Sequence, residues 1–196
     1  MDRQSPRTAL LVMDVQRGIV ERFADDPIYL GRLREAVESA RTRGLPVVFV
    51  RVAFRPGRPE VSPSNRAFTS LAARDGASFG EQDPATQIHP ALEPRAEDPV
   101  VVKKRVSAFA GSDLEVLLRS LGVTRLVLTG IATGGVVLST VREAADRDYE
   151  LTVLRDGCLD ADEEVHRVLT EKVFPRQAEV LSVGEWTARA AGEAAS

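Results

Sequence analysis

Sulfur is scarce in this chain, whose 196 residues include one cysteine, Cys158, and two methionines. A single thiol excludes an intrachain disulfide and a multi-cysteine zinc cage, and it matches a reducing compartment. Histidine is nearly as rare. His89 and His166 lie far apart, and neither belongs to a pair at metal-ligand spacing, so no protein-built transition-metal site is expected. Positive charge is not in excess either. The 26 Lys and Arg against 29 Asp and Glu leave a formal charge of -3, which gives no electrostatic reason to bind nucleic acid. No apolar run approaches the roughly 20 residues that span a bilayer. The opening "MDRQSPRTALL" lacks the apolar core and cleavage site of a signal peptide. Together these absences lead us to expect a cytoplasmic protein with neither membrane nor nucleic-acid partners.

What is present is an ordinary globular composition, 43% hydrophobic and 28% charged. The length suits a single domain over residues 1–196, able to bury roughly 70% of its unfolded surface. The run "ALLVMDV" is continuously apolar up to Asp14, as in a strand covered on both faces. Leu30, Leu33, Val37 and Ala40 recur at helical spacing before Gly44, which marks a helix stop. "PVVFVRVAF" reads as a second strand. Residues 55–99 break the rhythm with Pro, Gly, Ser and Asp, leaving at most a short helix over 64–73; loops this long are usually functional or oligomer contacts. Alternation then resumes with "VVVKK", a helix over about 112–121, "RLVLTG", a helix over about 133–148, "LTVLRD", a helix over about 161–174, "AEVLSV", and a short helix from 185. Six short strands mostly separated by helices predict a three-layer α/β/α fold with a six-stranded parallel sheet. Right-handed crossovers would place all strand ends on one edge, where open α/β proteins build their sites.

Three of those ends carry chemistry. The first stops at Asp14, which either caps the next turn or offers a carboxylate. The third stops at Lys103, Lys104 and Arg105, of which at least one is solvated because neighbours in a strand face opposite ways. The fourth runs through Thr129 and Gly130 into "GIATGGVVLST", where Gly134 and Gly135 let backbone approach a ligand and the following helix presents N–H groups. An acid, a cation and an anion-friendly helix start would then face one pocket. Such an Asp and Lys pair can act in acid–base catalysis. A buried ion pair can equally be structural.

The motifs "ALLVMDVQ", "VVVKKRVSAF", "DLEVLLRSLGVTRLVLTGIATGGVVLSTVREAADRDYELTVLRDGC" and "EVHRVLTEKVFP", in this order, resemble the isochorismatase-like hydrolases, a superfamily that includes nicotinamidases and other cysteine hydrolases. The resemblance implies the six-stranded fold, a homodimer or larger homo-oligomer, a small-molecule substrate, and a site of an Asp, a Lys and, in amidase members, a Cys. By position these fall on Asp14 and Lys103, with Gln16, Arg105, Phe109, Ile131, Ala132, Thr133 and Gly135 around the substrate and a non-proline cis peptide near Ile131 and Ala132. The nucleophile's place, six residues after the Gly of "TG", is Val136.

Valine offers no lone pair, so no thiol acyl-enzyme is expected. The resemblance puts Cys158 in a segment beyond the fifth strand, where a cysteine packs rather than reacts. Thr133 matches a helix-capping position, and Ser139 lies a full turn inside. Isochorismatases themselves carry Gly at the place of Val136 and cleave a vinyl ether by protonation and water addition. That chemistry needs an acid whose pKa burial has raised. Nicotinamidases hold a metal through an Asp and paired histidines after the second strand; here "VRVAFRPGRPEVSPSNRAF" has no histidine, and neither metal nor other cofactor is expected. Arg51, Arg55, Arg58 and Arg66 stand there instead, suited to an acidic small molecule or to contacts with another subunit. The expectation is a hydrolase using Asp14 and Lys103 without a cysteine nucleophile. The alternative is a silent member that binds a small ligand or serves in assembly.

Overall fold

Strand β1, Arg7–Met13, is apolar on consecutive residues because both its faces are covered. Ala9, Leu11 and Met13 enter one core and Leu10 and Val12 the other, the alternation that a pleated strand imposes. The computed structural model describes residues 7–23, 27–69 and 79–193. Five further strands join β1: β2 Val47–Val52, β3 Val100–Lys103, β4 Val123–Ile131, β5 Glu150–Leu159 and β6 Glu179–Leu181. They form one sheet in the order β3-β2-β1-β4-β5-β6, parallel at every pairing.

Helices α1 Arg17–Phe23 and α2 Pro27–Thr42 follow β1, and α3 Leu114–Ser120 precedes β4. After β4 come α4 Leu138–Asp146, α5 Glu163–Val168 and α6 Val183–Glu193. Leu114 and Leu118 of α3, Val141 and Ala144 of α4 and Leu169 pack on one face of the sheet. Leu33, Ala36, Val37 and Ala40 of α2 with Trp186 of α6 pack on the other. Each fully buried leucine or valine among them contributes about 1.5–3 kcal/mol. No described helix is long and apolar enough to cross a membrane.

Local departures from the sequence reading share one cause: tertiary contacts reshape the ends of elements. Helix α1 has almost no periodic signal in the sequence, because Val20 is its single buried residue. The expected helix over 133–148 opens instead with a π turn, Thr133–Val137, and that over 161–174 ends in another, Leu169–Val173. Strand β5 continues to Leu159 rather than stopping before Cys158. Its register against β4 jumps, Leu128 facing Val153 while Gly130 faces Cys158, so a bulge hides the second half of the strand. The short helix expected over 64–73 begins as a helical turn over 66–69; its remainder lies outside the described residues.

Strands β1 and β4 touch most closely at their ends. Gly130 has φ 148°, and a Cβ there would stand 2.2 Å from the carbonyl oxygen of Met13. That atom belongs to the central strand and cannot swing aside. Gly130→Ala is therefore expected to cost roughly 3 kcal/mol or more of stability. A thermal melt equal to wild type would disprove this close contact.

Candidate active site

Strand order reverses between β1 and β4, since β1 leads outward to β2 and β3 while β4 leads to β5 and β6. A crevice opens at the carboxyl ends of such a pair. Asp14 follows β1 directly, with a φ of 57° that non-glycine residues rarely adopt; its N–H donates to Val50 O at 2.8 Å. This turn keeps Asp14 buried, 6% exposed, at the crevice.

Lys103 arrives from the end of β3 and is 2% exposed. Its Nζ lies 2.9 Å from Asp14 Oδ2 and donates to the carbonyls of Arg105 at 3.0 Å and Val106 at 3.1 Å. An ammonium has three donors, and these three acceptors account for them. Asp14 Oδ1 is different: it is buried and has no hydrogen-bond partner among the described residues. Burial pushes the Asp14 carboxyl above its ordinary value, against the opposing pull of Lys103 and, more weakly, of the Val52 backbone N–H, which does not meet the geometry of a hydrogen bond to Oδ1. One oxygen is thus pinned by a cation, and the other has no hydrogen-bond partner among the described residues.

Asp14 and Lys103 border a cavity of about 320 Å³, together with Ile131, Ala132, Gly135 and Val136 from the end of β4 and its turn. The Ile131–Ala132 peptide is cis. Val136 is 2% exposed and presents hydrocarbon beside the carboxylate. The remaining walls are chiefly apolar: Ile19 and Phe23 from α1, Val52, Val106, Ala67, Phe68 and Phe79, with Arg22 stacked 5.7 Å from the Phe79 ring centre. Three of the seven phenylalanines, Phe54, Phe68 and Phe79, sit in or beside the polar stretch after β2 and form a small core with Val52. Aromatic residues in an otherwise polar loop were the available signal for these walls.

The other expected site residues lie elsewhere. Gln16 is fully buried, but its Oε1 accepts from Val52 N at 2.8 Å and its Nε2 donates to Val52 O and Thr86 O at 3.0 and 2.9 Å. Its amide ties β2 to the 84–86 turn. Phe109 belongs to a sheet-face core, near the Tyr149 ring and under the Arg147 guanidinium. Arg105 gives Lys103 its carbonyl, while its own Nη1 donates to Lys104 O at 2.6 Å. Thr133 is buried with Oγ1 2.8 Å from His166 Nδ1, and burial pushes the His166 pKa down. Cys158 is buried in the same core as Phe109, its thiol pushed up to about 12 by burial. It does not line the cavity.

The turn is also less welcoming to anions than its glycines imply. Gly134 N donates to Asp160 Oδ2 at 2.6 Å, and Gly135 N and Val137 N donate to Ala132 O at 3.0 and 3.3 Å. His166 and Asp160 thus hold the turn from α5 and the loop before it, a contact across 26–33 residues that local pattern does not show. Of the arginines at the end of β2 and in the loop after it, Arg51 donates to Glu81 O and Thr86 Oγ1 and Arg55 pairs with Glu60 at 2.7 Å. Neither they nor Arg58 nor Arg66 line the cavity. Among the described residues no group of three or more His, Cys, Asp or Glu could hold a metal ion.

A larger cavity, about 700 Å³, lies at the opposite edge of the sheet. Its Arg125 and Arg189 are paired with Glu150 at 2.7 Å and Glu179 at 2.6 Å, and Arg7 donates to Leu121 O. Nothing there matches the half-paired carboxylate at Asp14.

This fold and crevice define an α/β protein of the isochorismatase type. The isochorismatase domain model matches residues 8–185. The chain is 32% identical over 190 residues to the uncharacterized isochorismatase family protein YecD of Escherichia coli O157:H7, covering 94% of this chain and 97% of that one. It is 34% identical to the ureidoacrylate amidohydrolase RutB of Methylobacterium radiotolerans, over 82% of this chain and 70% of that one. An isochorismatase family protein from Burkholderia thailandensis superposes with a TM-score of 0.80 at 30% identity, covering 94% and 96%. The chain belongs to the isochorismatase-family hydrolases.

Proposed function

We propose that this protein hydrolyses a small organic molecule with Asp14 as proton donor and acceptor, Lys103 as its electrostatic partner, and no cysteine acyl-enzyme. The observation that carries the reading is Asp14 Oδ1, buried and without a hydrogen-bond partner among the described residues while Oδ2 is held by Lys103 at the cavity. Burial keeps a proton on the carboxyl to higher pH, as a general acid requires. That proton passes to the substrate at the bond to be broken, water adds to the activated carbon, and the water's surplus proton returns to Asp14. Val136 supports direct water attack, because it stands where the family resemblance places a nucleophile and has no lone pair to give.

The Methylobacterium relative is named for amide hydrolysis, so ethers and amides should be compared directly. Wild-type protein is expected to turn over vinyl ethers and to show no acyl adduct by intact-mass analysis in the presence of aryl amides. Val136→Cys is expected to gain an acyl adduct, with at least about a tenfold rise in amide turnover. An acyl adduct on the wild type would rule the mechanism out. Turnover of neither class by the wild type, with a gain in Val136→Cys, would instead favour a silent ligand-binding member, the reading that the Val136 side chain also supports.

A further inference from the structure

We propose that the larger cavity, at the amino ends of the strands, is a second binding site that takes small anions carrying two or more linked negative groups. It lies at the edge of the sheet away from Asp14 and does not depend on the role of that residue. Four arginines reach it from four parts of the chain: Arg7 opens β1, Arg43 follows α2, Arg125 stands in β4 and Arg189 in α6. Two acidic residues, Glu150 and Glu179, line it with them. Positive charge is therefore in excess in this cavity, although the chain as a whole has a formal charge of -3. Such a local excess draws in anions that the remaining surface repels.

The glutamates do not use up the arginines. Among the described residues Glu150 takes only the Nε–H of Arg125, at 2.7 Å, and Glu179 only an Nη1–H of Arg189, at 2.6 Å. Arg7 donates from Nη1 to Leu121 O at 3.2 Å. A guanidinium has five N–H donors, so both terminal nitrogens of Arg125 and most donors of Arg7 and Arg189 remain for a ligand. Both ion pairs are exposed, and pairs of that kind contribute little and yield to a stronger acceptor. The planar fork of arginine matches the oxygens of phosphates and carboxylates. Buried side chains of Leu126, Val127, Leu181 and Trp186 give the cavity a packed base, with Arg43 5.0 Å over the Trp186 ring. A volume of about 700 Å³ is within the roughly 300–1,000 Å³ of small-molecule sites and exceeds what a single phosphate fills. Because the arginines come from separate elements, a ligand with two anionic groups can engage two of them at once.

Chemical-shift titration with inorganic pyrophosphate, citrate and orthophosphate, at fixed ionic strength, tests this. Pyrophosphate is expected to bind with a Kd of about 1 mM or tighter and at least about tenfold more tightly than orthophosphate, the gain from one further charge-assisted contact. The largest shifts should fall on Thr8, Arg125, Thr152 and Trp186, which line the cavity. Citrate separates two sources of linked charge: affinity equal to that of pyrophosphate supports a site for polyanions in general, and affinity about tenfold lower supports one for phosphates. Arg125→Gln and Arg189→Gln, at largely solvated positions, should each weaken pyrophosphate binding about tenfold. Arg34→Gln, exposed and outside the cavity, should leave it unchanged. No shifts up to about 10 mM pyrophosphate, equal affinity for orthophosphate, shifts centred on Ala132 and Val136 instead, or undiminished binding in both cavity variants would overturn the proposal.

Discussion

Asp14→Asn is expected to lower kcat/KM for a hydrolysed substrate by about a hundred- to ten-thousandfold, the usual contribution of a positioned acid or base, while the protein stays folded. Asparagine keeps the shape of the side chain and an oxygen that can still accept from Lys103, but it has no proton to give. The same group predicts the pH profile. A general acid works while protonated, and burial raises the Asp14 pKa above its ordinary value of 3.8. The wild-type kcat/KM should therefore hold at low pH and fall as pH rises through a group displaced above the usual carboxylate range. Steady-state rates across pH, with circular dichroism on the variant, check both statements. Retained turnover in Asp14→Asn, or a rate that climbs with pH through that range, would remove Asp14 as the acid.

Lys103→Met should lower stability most of any single change at the site, and by an amount that depends on pH. Removing one partner of a buried pair commonly costs about 3–5 kcal/mol, because the other charge is left without compensation. Here Asp14 would answer by holding its proton, since the lysine was what lowered its pKa against burial. The folded pKa then lies still further above the unfolded one. In the interval between them the native state binds more protons than the unfolded chain, so stability falls as pH rises. That contribution is fully present below the unfolded value and lost as pH rises through the folded one. Near pH 4 the variant should show only a residual loss of about 1–3 kcal/mol from the carbonyls of Arg105 and Val106 left without a donor. Near pH 8 the full penalty should appear. Urea denaturation at a series of pH values measures this, and a loss independent of pH would mean that Asp14 does not feel Lys103.

Asp14 and the cations Lys103, Lys104 and Arg105 are legible in the sequence because they close apolar runs, and parallel strands deliver such closing residues to one edge of the sheet; only the family resemblance singles out Lys103 among the three. Gln16 shows the limit of that reasoning. It stands two residues from Asp14 and reads as a ligand contact, yet its amide is saturated by backbone groups 36 and 70 residues away. Phe109 and Thr133 fail to reach the cavity for a related reason: a side chain at a strand or helix end faces one of several compartments, and packing partners distant in sequence decide which. Cys158 lies in a sheet-face core and does not line the cavity, and the strand that carries it is longer than its apolar pattern because a bulge interrupts the pairing.

The sequence by itself determined the alternation of strands and helices, the parallel sheet, and the identity of the residues at the ends of β1, β3 and β4. Those properties follow from the period of apolar residues and from neighbours a few positions apart. Tertiary structure alone decided that Lys103 has no donor left, that Asp14 keeps one oxygen without a hydrogen-bond partner among the described residues, and that aromatic side chains from the loop after β2 line the cavity wall. Hydrogen-bond saturation and the polarity of a cavity are sums over groups brought together by folding, and no local stretch of chain contains all their terms.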